Sequence, residues 1–178
     1  MMAFADAAEW ESWLAENHDT EKCAWLKIAR KGSAAELITI GQALEGALCY
    51  GWIDSQRKSH DEHCYLQRYS PRRAGSPWSR ENVERVEMLT RTGRMRPPGL
   101  AQVAMAEADG RWAAAYVAQR NVTVPPDLAE ALAADPQAAE RFAALTKTDR
   151  YRLILPLLKA TTPAARAASL ARAVAHLS

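Results

Sequence analysis

Arg68, Arg72, Arg73 and Arg80 lie in a stretch that contains no acid, and Arg94 follows one helix-length later in this chain of 178 residues. Guanidinium groups beside the hydroxyls of Ser70, Ser76 and Ser79, where a helix begins, are the equipment of an anion site. They offer bidentate forks for a phosphate or carboxylate, and a helix N-terminus adds backbone N–H groups. The candidate ligand-binding set is Trp52, Asp54, Gln67, Arg68, Arg72, Arg73, Trp78, Ser79, Asn82 and Arg94. Alternation along residues 51–57 puts Trp52, Asp54 and Gln56 on one face, with Arg57 on the other; along 65–69 it groups Tyr65, Gln67 and Tyr69. If Trp52 and Tyr65 face the core, Asp54 and Gln67 go with them, and a carboxylate so placed needs a cationic or hydrogen-bonding partner. Asp54 is also the one candidate catalytic acid or base beside those arginines. Trp78, in a Pro-flanked loop between arginines, can combine stacking with charge, as single-strand nucleic-acid sites do. The competing reading leaves the arginines on a solvated face or paired with Asp54, Glu81, Glu84 and Glu87.

Other reactive side chains form weaker patterns. His60, Asp61, Glu62, His63 and Cys64 have ligand-type groups at short spacing, but they sit on a hairpin tip and lack a second pair of Cys or His, so a solvated loop is expected and no metal. Cys49 has no histidine near it in sequence and stands at a helix end, the place of a buried structural thiol. Cys23, Cys49 and Cys64 make no C-x-x-C pair and are expected to be reduced. The chain has no G-x-S-x-G, no P-loop and no G-x-G-x-x-G, and no cofactor is expected.

Positioning these residues takes a small sheet and several helices. Residues 4–18 carry Trp10, Trp13 and Leu14 at helical spacing, and 23–30 alternate as a strand before the Lys31-Gly-Ser33 turn. Thr39 and Gln42 have capping-box spacing for a helix over 40–50, closed by Gly51. Two β-rich runs, 51–57 and 64–69, flank a polar loop and make a hairpin. After the Pro-rich loop 70–79, a helix capped by Ser79 ends at Gly93, and further helices are expected over about 99–109, 111–120, 127–134, 136–145, 149–160 and 163–177. Asp135-Pro136 and Thr162-Pro163 pair an N-cap with Pro at the first helical position. Pro156 should kink its helix or cut it short. The expected class is α+β: an N-terminal sheet of three or four strands with flanking helices, a helical layer, and a helical C-terminal module. The expected division is a core domain over 1–120 and the module over 121–178, the module being either separate or part of the same domain.

Charge narrows the function. Residues 1–20 carry five acids and no Lys or Arg, whereas 21–100 carry 14 bases against nine acids. Nothing in the chain has the length and apolarity of a membrane span, and Asp6 and Glu9 in the first ten residues do not suit a secretory leader. A soluble, cytoplasmic chain is expected.

Several strings carry a family likeness: Ala47-Leu-Cys-Tyr-Gly-Trp-Ile-Asp-Ser55, Tyr65-Leu-Gln-Arg-Tyr-Ser-Pro-Arg72, Ser76-Pro-Trp-Ser79 with Asn82, Gly93-Arg-Met95, and Asp109-Gly-Arg-Trp112 with Tyr116. Together they resemble the YdeI/OmpD-associated family, also labelled bacteriocin-protection proteins. The segment from Val124-Pro-Pro-Asp-Leu128 through Phe142 to Arg166 is similar to that family's helical C-terminal module, with Ser169 where a second basic residue would be expected. The resemblance implies a bacterial protein linked to envelope stress and to tolerance of bacteriocins or cationic antimicrobial peptides, with no catalytic residues to carry over. The leading expectation is a non-enzymatic protein whose Arg-rich loop binds an anionic small molecule or protein partner through Arg68, Arg72, Arg73 and Arg94. The alternatives are an enzyme acting on a phosphorylated or carboxylated small molecule, and a nucleic-acid binder. The net charge of +2 and the acidic N-terminal segment weigh against the last.

Overall fold

The first two helices each start on a side chain that replaces a missing backbone partner. In the computed structural model, which describes residues 1–117 and 121–177, Asp6 accepts from the N–H groups of Ala8 and Glu9 to begin α1 (Ala7–Asn17). Thr39 and Gln42 form the expected capping box of α2 (Ile40–Cys49). Around these run β1 (Ala24–Ala29), β2 (Trp52–Ser59) and β3 (Cys64–Pro71). Then come α3 (Arg80–Arg91), α4 (Pro97–Ala108), α5 (Pro126–Ala134), α6 (Pro136–Ala144), α7 (Lys147–Lys159) and α8 (Pro163–Leu177). The class is α+β. The backbone groups into two compact units, Met1–Ser76 with Glu84–Ala106, and Pro77–Val83 with the chain from Glu107 onward. No helix among the described residues is long and apolar enough to cross a membrane.

In the first unit the sheet is antiparallel, in the order β1-β3-β2. Among the described residues no fourth strand forms; Met2 makes a parallel bridge to Leu26 through Met2 N–H to Trp25 O and Lys27 N–H to Met2 O. One sheet face carries Ala24, Leu26, Ile28, Gln67 and Tyr69, all buried. Against it lies Trp10, fully buried, with its ring 5.8 Å from Tyr69 and 6.4 Å from Trp52 and its Nε1–H donating to Ala43 O. Gly46 is what lets that indole in, since a Cβ there would stand 2.8 Å from Trp10 Cδ1. Gly51 closes α2 at φ +75°, where a side chain would be strained.

The second unit builds a separate core from Leu128, Leu132, Phe142, Ile154, Leu157 and Leu177. Asp135 caps α6 and Thr162 accepts from Ala165 N–H at the start of α8, as the Asp-Pro and Thr-Pro pairs predict. Arg166 clamps α8 to α5 through two bonds to Asp127, 2.7 and 2.9 Å long. Ser169 is buried and accepts from Arg172. One expectation fails. Residues 111–114 make a turn and Tyr116 bridges to Ser79, so no helix forms over 111–117; positions 118–120 lie outside the described residues. Pro156 does not cut α7 short, because the helix continues to Lys159, with Ile154 and Leu157 buried on either side of the proline. The gain from burying those two side chains offsets the one missing backbone bond.

Gly99 packs against the end of α2, and a Cβ on it would sit 2.7 Å from Leu48 O and closer still to Cys49 O. Gly99→Ala is therefore expected to cost about 2–4 kcal/mol in urea unfolding, because backbone rather than a flexible side chain blocks the methyl. The Arg166 guanidinium holds the Asp127 carboxyl below the usual carboxylate range. This pairing stabilises the fold above the unfolded-state pKa of the carboxyl and is lost as pH falls through the folded-state value. Thermal melts of Asp127→Asn should show a flatter loss of stability into acid than the parent chain.

Candidate functional site

Strand directions decide which basic residues meet. Because β1 and β2 both run antiparallel to β3, they are parallel to each other, and their C-terminal ends lie at the same end of the sheet. Arg30-Lys31 follows β1, Arg57-Lys58-Ser59 closes β2, and Cys64-Tyr65 opens β3. Arg30, Lys31, Arg57, Lys58, Ser59 and Tyr65 line an open groove of about 370 Å³ at that end. Three of its four cations are held in place. The Arg57 guanidinium lies 4.3 Å from the centre of the Tyr65 ring, and the Lys58 ammonium 4.7 Å from that of Trp25. Arg30 donates from Nε to Asp61 O and from Nη2 to Ser59 Oγ.

A β-bulge puts Arg57 there. Asp54 pairs with Tyr69, but the next pair along the strand is Arg57 with Gln67, so Ser55 and Gln56 together face Arg68. The extra residue resets the alternation. Arg57, rather than the expected Gln56, shares the face of Trp52, Asp54 and Gln67. Buried Gln67 locks the arrangement: its Oε1 accepts from Arg57 Nε at 3.1 Å, and its Nε2–H donates to Gln56 O at 3.1 Å. Asp54 is an exposed residue, yet the protein crowding its carboxyl raises the pKa above the usual range, against its own backbone N–H and the charges of Arg57 and Arg72.

The ten residues singled out in the sequence divide between the units. In the first unit, Trp52 is core: its Nε1–H donates to His18 O and its ring meets Trp13 edge-on at 5.9 Å. Arg68 points to the opposite sheet face from Gln67 and bonds Ser55 Oγ at 3.4 Å. Arg72 is buried, with its backbone N–H on Gly51 O, and Arg73 is exposed. Arg94 is engaged by two carboxylates, Glu11 and Glu45, at 2.7 Å each, and Glu45 also takes Arg85. It ties α1, α2 and the turn after α3 together, so an incoming anion would have to displace both acids.

In the second unit, Trp78 is buried against Trp112, with ring centres 4.9 Å apart. The expectation of a stacking platform is corrected: an indole 2 % exposed has no face for a ligand. Ser79 caps α3 by accepting from the N–H of Asn82, which is half-buried. Cys49 is buried, and burial pushes its thiol up to about 11. Arg30, Lys31, Arg57, Lys58, Ser59 and Tyr65 were absent from the sequence-derived set; two Arg-Lys pairs at strand ends were the only signal, and it became informative once strand order was known.

A family model described as Domain of unknown function (DUF8412) matches residues 2–102. The model described as Bacteriocin-protection, YdeI or OmpD-Associated matches residues 121–178, while most of the strings that carry the likeness lie ahead of that segment. No curated protein and no solved structure matches the chain.

For a carboxyl with a raised folded-state pKa the linkage runs opposite to that of Asp127: ionisation costs stability as pH climbs from the unfolded toward the folded value. Asp54→Asn should therefore melt above the parent chain at neutral pH. The difference should vanish in acid, where both side chains are neutral, and solvent access to Asp54 keeps it small.

Proposed function

This chain belongs to the family described as a domain of unknown function (DUF8412), and from that premise we propose that it is a binding protein for an anionic small molecule. The receptor is the groove of Arg30, Lys31, Arg57 and Lys58. The C-terminal segment that matches the bacteriocin-protection model supports a bacteriocin-protection role; tolerance of antimicrobial peptides and a part in envelope stress belong to the proposal. The observation that carries the reading is one groove with four cationic side chains, a hydroxyl and a phenol, and no carboxylate among its lining. Cations stacked on Tyr65 and Trp25 are ordered before a ligand arrives, so less side-chain entropy is lost on binding. Phosphate and carboxylate suit such donors. The site replaces the loop of Arg68, Arg72, Arg73 and Arg94, since Arg94 already holds Glu11 and Glu45.

A second reading, an enzyme on a phosphorylated or carboxylated substrate, draws support from the raised pKa of Asp54 on the same face as Arg57. In that reading Asp54→Asn abolishes turnover without weakening ligand binding.

Calorimetric titration with inorganic pyrophosphate tests the binding reading. The Arg57→Ala/Lys58→Ala variant is expected to lose about tenfold to a hundredfold in affinity, the loss of one or two charge-assisted bonds. Arg73→Ala should bind as the parent does. The opposite pattern would place the site on the loop after β3. A steep salt dependence, with tighter binding of an oligonucleotide than of pyrophosphate, would favour nucleic acid.

A further inference from the structure

The hairpin between β2 and β3 brings together three different metal-ligand chemistries. His60 Nε2 stands 3.6 Å from Asp61 Oδ2, Cys64 Sγ stands 3.5 Å from the same oxygen, and the three donor atoms all lie within 4.8 Å of one another. Around a tetrahedral zinc with bonds of about 2.0–2.3 Å, neighbouring donors are about 3.3–3.6 Å apart. Two of the three donor separations are therefore at coordination spacing in the metal-free chain. We propose that His60, Asp61 and Cys64 form a zinc site, with solvent completing the coordination.

The carboxylate is oriented for this. Asp61 Oδ1 is used by the loop, accepting from the N–H groups of His63 and Cys64 at 2.8 and 2.7 Å, which leaves Oδ2 toward the imidazole and the thiol. The loop itself is pinned at both edges: Arg30 N–H donates to His63 O, Arg30 Nε–H to Asp61 O, and Asp61 N–H to Cys64 O. Such outer-shell bonds are what hold a ligand in its binding rotamer. His60 and Asp61 are exposed, so an ion reaches them without opening the core, and buried Cys64 already turns its sulfur toward Asp61. A set of one nitrogen, one oxygen and one sulfur suits zinc and not magnesium or calcium, which take oxygen ligands. On binding, the Cys64 S–H bond breaks, a sulfur–zinc bond forms and the proton leaves to solvent. Thiolate and carboxylate then balance the two charges of the ion. The sequence pattern argues for a solvated loop because it lacks a second Cys or His pair; the folded hairpin supplies three donors from five consecutive residues instead.

Cobalt(II) is the probe, titrated into the reduced full-length chain, with zinc then added in competition. The expected result is a thiolate-to-cobalt charge-transfer band in the near ultraviolet that saturates at one ion per chain and is displaced by zinc. Cys64→Ser should abolish the band, and Cys23→Ser should retain it. His60→Ala, an exposed change that leaves the far-ultraviolet circular dichroism unaltered, should weaken zinc by about tenfold or more. Absence of the band, its survival in Cys64→Ser, or parental zinc affinity in His60→Ala would each overturn the proposal. None of these outcomes depends on the anion groove, whose own test uses no metal.

Discussion

One buried amide governs the candidate site. Gln67 is 2 % exposed on the core face of the sheet, where an unsatisfied amide would cost on the order of 1–3 kcal/mol. Its oxygen is satisfied by Arg57 and its nitrogen by the carbonyl of Gln56, both from the bulged part of β2. The bulge and the amide therefore require each other. Without the extra residue in β2, Arg57 would turn to the other face and Gln67 Oε1 would lose its donor. Without Gln67, the carbonyl freed by the bulge would lose its partner. The position of Arg57 over Tyr65, and hence one wall of the groove, follows from this pair of bonds.

The rest of the first unit supports that corner from below. Trp10 fills the space between α1 and the sheet, touching Phe4, Trp13, Trp52 and Tyr69, and depends on Gly46 having no side chain. Arg94 joins α1 to α2 by holding Glu11 and Glu45 at once. The second device turns Arg94, which looks like a ligand-binding residue in the sequence, into structure, and the first uses Trp10 as the buried helix face that its spacing implies. An indole among aromatics is worth more as buried area than as a stacking surface, and an arginine between two carboxylates serves as a tie.

Helix starts were legible because their chemistry is local. Thr39 with Gln42, Asp135 before Pro136 and Thr162 before Pro163 each carry their partner within three residues, and each makes the bond that its spacing implies. The α+β class, the hairpin and the buried state of Cys49 were legible for the same reason: apolar periodicity is a property of short windows. What failed depends on distant residues. Trp78 is buried against Trp112, and Tyr116 is drawn to Ser79 instead of into a helix. The bulge inserts one residue without altering composition, so alternation read straight through it puts Arg57 on the wrong face. Arg30-Lys31 and Arg57-Lys58 lie 27 residues apart and acquire a common meaning only when β3 pairs between their strands.

The sheet has two edges, and the chain treats them differently. Beyond β1, Met2 occupies the backbone groups of Trp25 and Lys27. The opposite edge is β2, exposed from Asp54 to Ser59, where a row of unpaired amides would invite another chain to add a strand. Its regular spacing is broken by the bulge, and two of its last three residues are Arg57 and Lys58. An incoming strand meets a misaligned ladder and a double positive charge. The features that build the proposed anion groove thus also misalign and charge the sheet edge, so selection to relax one would act on the other.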